Sequence, residues 1–583
     1  MDRKELSNIL EEVALLLELK GENPFKIRAY QQAARIVLAM EGDLAALAET
    51  GELGKIKGIG QALNEKINEY ITTGRLRYLD ELKSSFPEGL LEVLKIKGLG
   101  PKKVKILYED LGITSLGELE YACLENRLVT LKGFGSTTQK NVLTGIETLK
   151  KYRGFSLWAE MEESALELVG IIGQCPWVKQ CELAGSFRRS NEIVNELELV
   201  ASTNNPESVI SYIGRSPLVQ SLNADNPAEL TVKLKLGDEA GIYLVTEETF
   251  AFAWHYHTGS QDYFRSMKAF AGEKGLDLSE SGLADRQKGT IRADSEDQIF
   301  KSLGLGFIPP ELREDLGEIE AAEKKTLPEL IDLKDIKGIF HVHSNFTDGG
   351  QSIMESVKWC LENGYQYLGL ADHSQTAAYA GGLTPDGLKR QREEIESIRG
   401  KYPDFGLFWG IESDILADGS LDYPDDILGK FDFVVASVHS SFTMGREEMT
   451  QRLINAVRNP FTTLLGHPTG RLLLAREPYL VDLKAVIAAA AETGTAIEVN
   501  ASPHRLDLDW REMRGAKDLG VKMVINPDAH SVRGMSDVRF GVEVARKGWL
   551  TSADVLNCLD RDEMSKFLAG FSDTKRNLLN LLN

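Results

Sequence analysis

The sequence predicts a multidomain chain with an all-α amino-terminal region, an α/β middle and a carboxyl-terminal parallel barrel of seven β-α units. Three observations carry that prediction. A glycine hairpin signature occurs three times between Ile56 and Ser136. In the middle, one strand runs into a Gly-Ser turn and a second strand follows. From Gly338 onward, seven apolar runs recur at intervals of roughly 25 to 35 residues, with helical stretches between them. Each ends near a residue able to bind metal.

At 583 residues the chain is too long for one core and fits three or four domains. Hydrophobic residues form 42% of it, ordinary for a globular protein. It has no run of about 18 apolar residues, the length a membrane helix needs. Met1-Asp2-Arg3-Lys4-Glu5 lacks an apolar signal core, so the expectation is a cytoplasmic protein with no membrane partner. The five cysteines, Cys123, Cys175, Cys181, Cys360 and Cys558, show no C-x-x-C spacing and fit reduced thiols. Net charge is −21, unevenly spread. Residues 1–150 carry 21 Lys and Arg against 22 Asp and Glu, and the remainder 46 against 66. DNA contact is therefore expected near the amino end.

In residues 1–80, Leu6, Leu10, Val13, Leu16 and Leu17 repeat at helical spacing, and Asn23-Pro24 opens another helix. The hairpin signature then reads Ile56-Lys57-Gly58-Ile59-Gly60, Ile96-Lys97-Gly98-Leu99-Gly100-Pro101-Lys102 and Leu131-Lys132-Gly133-Phe134-Gly135-Ser136. Paired glycines permit a tight turn whose backbone N–H groups, at a helix start, hold a DNA phosphate without reading its sequence. One such turn closes many ordinary helical hairpins; three favour DNA. Gly58, Gly60, Gly98, Gly100, Lys102, Gly133 and Gly135 are the expected contacts.

Further on, Cys181-Glu182-Leu183-Ala184 reads as a strand entering Gly185-Ser186-Phe187-Arg188-Arg189. A Gly-Ser turn with paired arginines suits a triphosphate. Asn195-Glu196-Leu197-Glu198-Leu199-Val200 then places two carboxylates on one strand face.

The barrel begins with Gly338-Ile339-Phe340-His341-Val342-His343, and Asp348 follows. Strand alternation puts His341 and His343 on one face, able to grip one cation. Later runs lead to His373, Glu412, His439, His467, Asn500, and Asp528 with His530. Strand carboxyl ends of such barrels converge on one rim, where chemistry is placed. Six of the nine histidines fall there, which ordinary barrel histidines would not do. His341, His343, Asp348, His373, Glu412, His439, His467, Asp528 and His530 exceed the needs of one tetrahedral ion and suit two or three ions of Zn²⁺ or Mn²⁺. Clustered cations acidify water and clamp phosphate-ester oxygens, so the expected reaction is metal-assisted phosphoester hydrolysis. Arg505 follows the Asn500 run and either meets a substrate phosphate or forms a surface salt bridge.

Residues 336 to about 570 resemble a PHP (polymerase and histidinol phosphatase) domain, with all nine ligand positions matched. That resemblance implies a distorted (β/α)7 barrel with a trinuclear Zn or Mn site. The preceding residues resemble a family X DNA polymerase, and the fusion is similar to the bacterial form, PolX. It implies a lyase-like helical domain at 1–82, fingers at 83–153, a nucleotidyltransferase-like palm at 154–250, a thumb at 251–316, a linker at 317–335 and the PHP phosphoesterase at 336–575. It implies gapped or 3′-ended duplex DNA, or a single strand, as partner, and a monomer. Gly185, Ser186, Arg189, Glu196, Glu198 and Gly259 would meet a deoxynucleotide, with Mg²⁺ on the palm carboxylates. In that family a lysine at Lys66 attacks an abasic deoxyribose; the alternative, favoured by Ala62 where a supporting lysine often stands, is a solvated helix lysine.

The palm departs from the family. Its Asp-x-Asp is Glu196-x-Glu198, each carboxylate moved outward by ~1.5 Å, and the third Asp falls on Gly241. Phe264 replaces an Asn, and His257 a Phe. The expectation is a DNA-repair protein whose PHP barrel trims DNA 3′ ends, as a 3′–5′ exonuclease or end-processing enzyme, beside a degenerate palm. The rivals are an active gap-filling polymerase using Asp238 or Glu239 as third ligand, a non-catalytic DNA-end scaffold, and a small-molecule phosphatase.

Overall fold

The computed structural model describes residues 3–39, 53, 56, 58–96, 98–124, 127–151, 154–235, 237–285, 287 and 289–582. The chain folds as two compact units, Met1–Arg153 and Gly154–Asn583. Among the described residues no helix is long and apolar enough to cross a membrane.

The first unit is helical. Helices Arg3–Lys20 and Pro24–Ala39 pack face to face, burying Leu6, Leu10, Val13 and Leu17 against Ala33, Ala34 and Val37. Ser7 Oγ, inside that contact, donates to the Ala34 carbonyl at 3.0 Å. Each hairpin signature leads into a helix: Gln61–Thr73, Pro101–Leu111 and Ser136–Lys151. Ile59, Leu99 and Phe134 anchor the turns in the core. Gly98 and Gly133 have φ of 88°, where a side chain would be strained. Gly60 and Gly100 cap their helices with no side-chain hydrogen bond, and a Cβ on either would meet nothing within 4 Å. The first-turn N–H groups therefore lie on an open face. Lys57 and Lys97 lie outside the described residues.

The second unit opens with β1 (Ser156–Leu157), which pairs with β3 (Ile193–Val194). A five-stranded sheet follows, made of β2 (Gln180–Ala184), β4 (Leu197–Ser202), β5 (Val219–Asn226), β6 (Glu229–Leu234) and β7 (Glu239–Val245) in the order β2-β4-β7-β6-β5. Only β4 and β7 run parallel within it. Next come helices Phe250–Thr258 and Gln261–Glu273 and the meander β8 (Leu276–Ser279), β9 (Gly282–Asp285) and β10 (Gly289–Ile291). The segment expected as a linker is packed: Ile319 and Ala322 of helix Glu318–Lys324 join the core around that meander, and Ile331 joins the barrel core. We propose the finer domain boundaries given above on this layout.

The barrel strands are β11 (Gly338–Val342), β12 (Tyr367–Leu370), β13 (Gly406–Asp414), β14 (Phe433–Ser437), β15 (Leu464–Leu465), β16 (Ala496–Asn500) and β17 (Met523–Asn526). They are parallel neighbours in chain order. His343 N bonds Ala529 O at 3.0 Å and Ala529 N bonds His341 O at 3.3 Å, so the sheet nearly closes. Both strand faces are buried, which is why these runs read as continuous apolar sequence. Phe340, Tyr367, Phe408, Phe433, Val435 and Val524 form one cluster with Met564 and Leu568 of helix Arg561–Leu582. The alternate residues pack against the surrounding helices.

Candidate metal centre and palm site

Two local details differ from simple strand alternation. His341 has φ of 55° at a register shift in β11, so the backbone turns over there instead of alternating regularly. Glu412 lies within β13, which runs two residues further. The nine residues still converge. Glu412 Oε1 is 3.1 Å from His341 Nε2, 3.2 Å from His439 Nε2 and 3.0 Å from His467 Nε2. Its Oε2 is 2.8 Å from His373 Nδ1. Asp528 Oδ1 lies 3.1 Å from His343 Nε2 and 3.5 Å from His341 Nε2. Asp348 Oδ2 lies 3.5 Å from His373 Nε2 and 3.4 Å from His530 Nε2. Three groups of at least three ligand atoms close enough to share an ion result: His343, Asp348, His373 and His530; His341, His343 and Asp528; His373, Glu412 and His439.

A ring of supporting groups was not picked out in the sequence. Glu498, fully buried, accepts from His341 Nδ1 at 2.6 Å and from His467 N at 2.7 Å. Asp414 accepts from His439 Nδ1 at 2.6 Å. Both turn Nε2 toward Glu412, the arrangement that carboxylates impose on metal-binding imidazoles. Asp372 accepts from Ser344 N at 2.7 Å and Thr347 Oγ1 at 2.5 Å, fixing the turn that carries Asp348. A signal was present: Glu498 is a charge inside an apolar strand, and Asp414 shares a strand face with Glu412. Glu498→Gln is expected to weaken metal binding about 10–100-fold, read by competition with a chelator.

The donor set fits cations on its own chemistry. Buried His341 Nε2 makes no hydrogen bond although it faces the cluster. Burial pulls His341 down, but Glu498, Glu412 and Asp528 outweigh it and hold it well above its ordinary value. Against burial, Glu412 and Asp348 push His373 up to about 10, and Glu412 with Asp414 pushes His439 up to about 9. Burial takes His343 down to about 4, with His530 and His373 adding to the fall. Glu412 and Asp528, despite burial, are held well below the carboxylate range by the imidazoles. Protons thus balance charge that cations would balance instead. Metal loading at pH 7 is expected to release protons, and affinity to fall as pH is lowered; calorimetry in two buffers of different ionisation enthalpy reads the release.

The palm contrasts. Glu196 just precedes β4, and Glu198 sits opposite Gly241 in the β4–β7 register. A Cβ on Gly185 would stand 2.1 Å from Glu198 Oε1, which explains glycine there. Burial, then Glu196, pushes Glu198 up to about 7, with Arg189 opposing. Tyr243, on the Gly241 face, stacks on His257 with ring centroids 3.5 Å apart. Its hydroxyl lies 3.7 Å from where a Gly241 Cβ would be. Asp238 accepts from Ser164 Oγ at 2.9 Å, and Glu239 starts β7 on the Gly241 face. Among the described residues, every group of three or more metal-competent side chains lies in the barrel.

The arginines expected to cradle a triphosphate are engaged by protein. Arg188 pairs with Glu296 at 2.6 Å and lies 3.5 Å over the Trp254 ring. Arg189 pairs with Glu314 at 3.0 Å and donates to the Thr258 carbonyl beside Gly259. Lys66 is half-buried, with Nζ 4.8 Å over the Tyr78 ring. Arg505 Nε pairs with Asp528 Oδ2 at 3.5 Å, so its salt bridge is to a residue of the candidate metal centre.

Residues 1–76 match the helix-hairpin-helix domain family, residues 90–148 the SAM-like helix-hairpin-helix tandem family, and residues 253–314 the DNA polymerase beta thumb family. A probable phosphatase of Thermoanaerobacter sp. (strain X514) is 28% identical over 236 residues, 38% of this chain and 91% of its own length. A probable phosphatase of Caldanaerobacter subterraneus subsp. tengcongensis is 30% identical over 190 residues, 31% of this chain and 70% of its own. Fold and site thus define a family X polymerase architecture carrying a PHP barrel at its carboxyl end. The "DNA polymerase/3′-5′ exonuclease PolX" of Bacillus subtilis (strain 168) is 37% identical over 572 residues, covering 97% of this chain and 99% of that protein. The chain belongs to the PolX family.

Proposed function

We propose that this chain is a DNA-repair enzyme whose barrel hydrolyses 3′-terminal phosphodiesters or phosphates of DNA, and whose palm does not add nucleotides. One contrast carries the reading: eight metal-competent side chains cluster at the barrel mouth with His467 3.0 Å from one of them, Glu412, while the palm has Gly241 opposite Glu198.

His341, His343 and Asp528 would hold one ion, Glu412, His439 and His467 a second, and Asp348, His373 and His530 a third. Such ions, zinc or manganese, supply an acidified water and a polarised phosphorus centre. Glu498 and Asp414 orient the imidazoles; Arg505, beside Asp528, would take a phosphate oxygen through its planar fork. Burial of His341, Glu412 and Glu498 keeps bulk water from the base of the mouth, which strengthens every charge interaction there. The hairpin glycines Gly58, Gly60, Gly98, Gly100, Gly133 and Gly135, with Lys102, would hold the DNA backbone. Gly185, Ser186, Glu196, Glu198 and Gly259 would contact a DNA end or nucleotide without chemistry.

The name of the Bacillus relative and the position of Glu239 favour one rival, a working gap-filling polymerase. A 5′-labelled primer on a gapped duplex, incubated with Mn²⁺ with and without deoxynucleotides, decides. Shortening under both conditions is expected; lengthening with nucleotides overturns the palm reading, and an unchanged primer overturns the nuclease.

A further inference from the structure

The carboxylate of Glu192 belongs by sequence to the palm, between the Gly-Ser turn and Glu196, yet its partners are on the barrel. Its Oε1 accepts from Arg471 Nη2 at 3.1 Å and its Oε2 from Trp510 Nε1 at 3.3 Å. Glu192 is 6% exposed and Arg471 7%, so this is a buried, hydrogen-bonded ion pair and not a surface contact. Such pairs are weak sources of stability, and a positional role is the better account of one that spans two domains.

Arg471 does more than pair. Its Nη1 donates to Asp509 at 2.6 Å, its Nε to the Arg505 carbonyl at 2.9 Å, and its Nη2 also reaches the Leu506 carbonyl. The segment it grips carries the Arg505 side chain, which meets the metal-cluster residue Asp528. Leu506 has φ of 42°, and Leu508 N bonds the carbonyl of Glu498 at 3.2 Å, so this loop lies against the shell that orients His341. The palm end is held as well. Lys547 Nζ donates to the Arg189 carbonyl at 3.0 Å, and Ser190 Oγ to Glu543 at 3.3 Å.

We infer that Glu192 is a positioning residue of the hydrolytic site: through Arg471 it fixes the loop that aims Arg505 at the DNA phosphate. The palm then remains part of the nuclease although it lacks nucleotide-transfer machinery. This rests on the hydrolytic reading above.

The test uses the full chain, a 5′-labelled 3′-ended duplex and bis(p-nitrophenyl) phosphate, a diester too small to need the DNA contacts. Glu192→Gln keeps shape and removes charge. It is expected to raise KM about tenfold, the scale of one charged hydrogen bond, for DNA and for the small diester alike, since both present a phosphate to Arg505, with kcat and metal content unchanged. In an Arg505→Ala background the same substitution is expected to raise KM no further, because coupled residues are non-additive. Arg471→Lys, which retains the cation but cannot grip two carbonyls, is expected to repeat the KM rise and stands in if Glu192→Gln misfolds. An unchanged KM in these variants, an equal rise in the Arg505→Ala background, or loss of metal overturns the inference. Wild-type chain that leaves DNA intact removes the hydrolytic reading itself; normal wild-type hydrolysis beside an unaltered Glu192→Gln variant removes only the role of Glu192.

Discussion

Glu412→Gln is expected to cut hydrolysis of a 3′-ended duplex by about 1,000-fold or more, corresponding to about 4 kcal/mol of transition-state stabilisation. Glu412 is 1% exposed and stands within 3.2 Å of nitrogens from His341, His373, His439 and His467. Among the described residues no other carboxylate approaches so many of the proposed ligands. An amide keeps the shape but presents an N–H and no charge where cations must bind. Bound metal should fall together with rate, measured by single-turnover hydrolysis and by metal content of the purified variant. A variant with full metal occupancy and full rate would remove Glu412 from the proposed centre.

Arg313→Leu is expected to destabilise the second unit by about 3–5 kcal/mol, the cost of breaking a buried ion pair by removing one partner. Arg313 is fully buried, donates to Glu296 at 2.5 and 3.2 Å and to the Ile308 carbonyl at 3.0 Å. Without it Glu296 keeps Arg188 and the 3.4 Å approach of His255. The same cluster sets a pH dependence. Burial raises Glu296, but Arg313, His255 and Arg188 together hold it well below the carboxylate range. Its stabilisation is therefore present above the ordinary glutamate value and is lost as pH falls toward the folded value. His255 is lowered by burial, so the unfolded chain takes its proton first and stability declines as pH drops below about 6.5. Both groups act in the same direction. Urea midpoints at pH 7.5 and pH 5 should show the wild-type chain weaker at pH 5, and the variant weaker than wild type at both.

Much of the architecture is local in the sequence and so was legible there. Most of the candidate ligands of the barrel are legible because they follow apolar runs, and parallel strands must bring such ends together. Gly241 stands out in the sequence only through the family resemblance, as the position of the third Asp, and the β4–β7 register sets it opposite Glu198. The hairpins were legible because Gly98 and Gly133 sit at left-handed φ, a need that glycine marks directly. What stayed hidden depends on distant partners. Arg188 and Arg189 read as free phosphate ligands, since nothing nearby shows that Glu296 and Glu314 return 108 and 125 residues later to engage them. Tyr78 beside Lys66 is a contact between separate helices that periodicity does not fix. The turn at His341 breaks alternation in a strand whose sequence looks regular.

On this reading the barrel mouth holds cations and the palm does not. Crystals soaked in Mn²⁺ and measured at the manganese absorption edge test it most directly. Anomalous peaks are expected among His341, Glu412, Asp348 and Asp528, with none between Glu196, Glu198 and Gly241. A strong peak on the palm glutamates, with nothing at the barrel mouth, would contradict it.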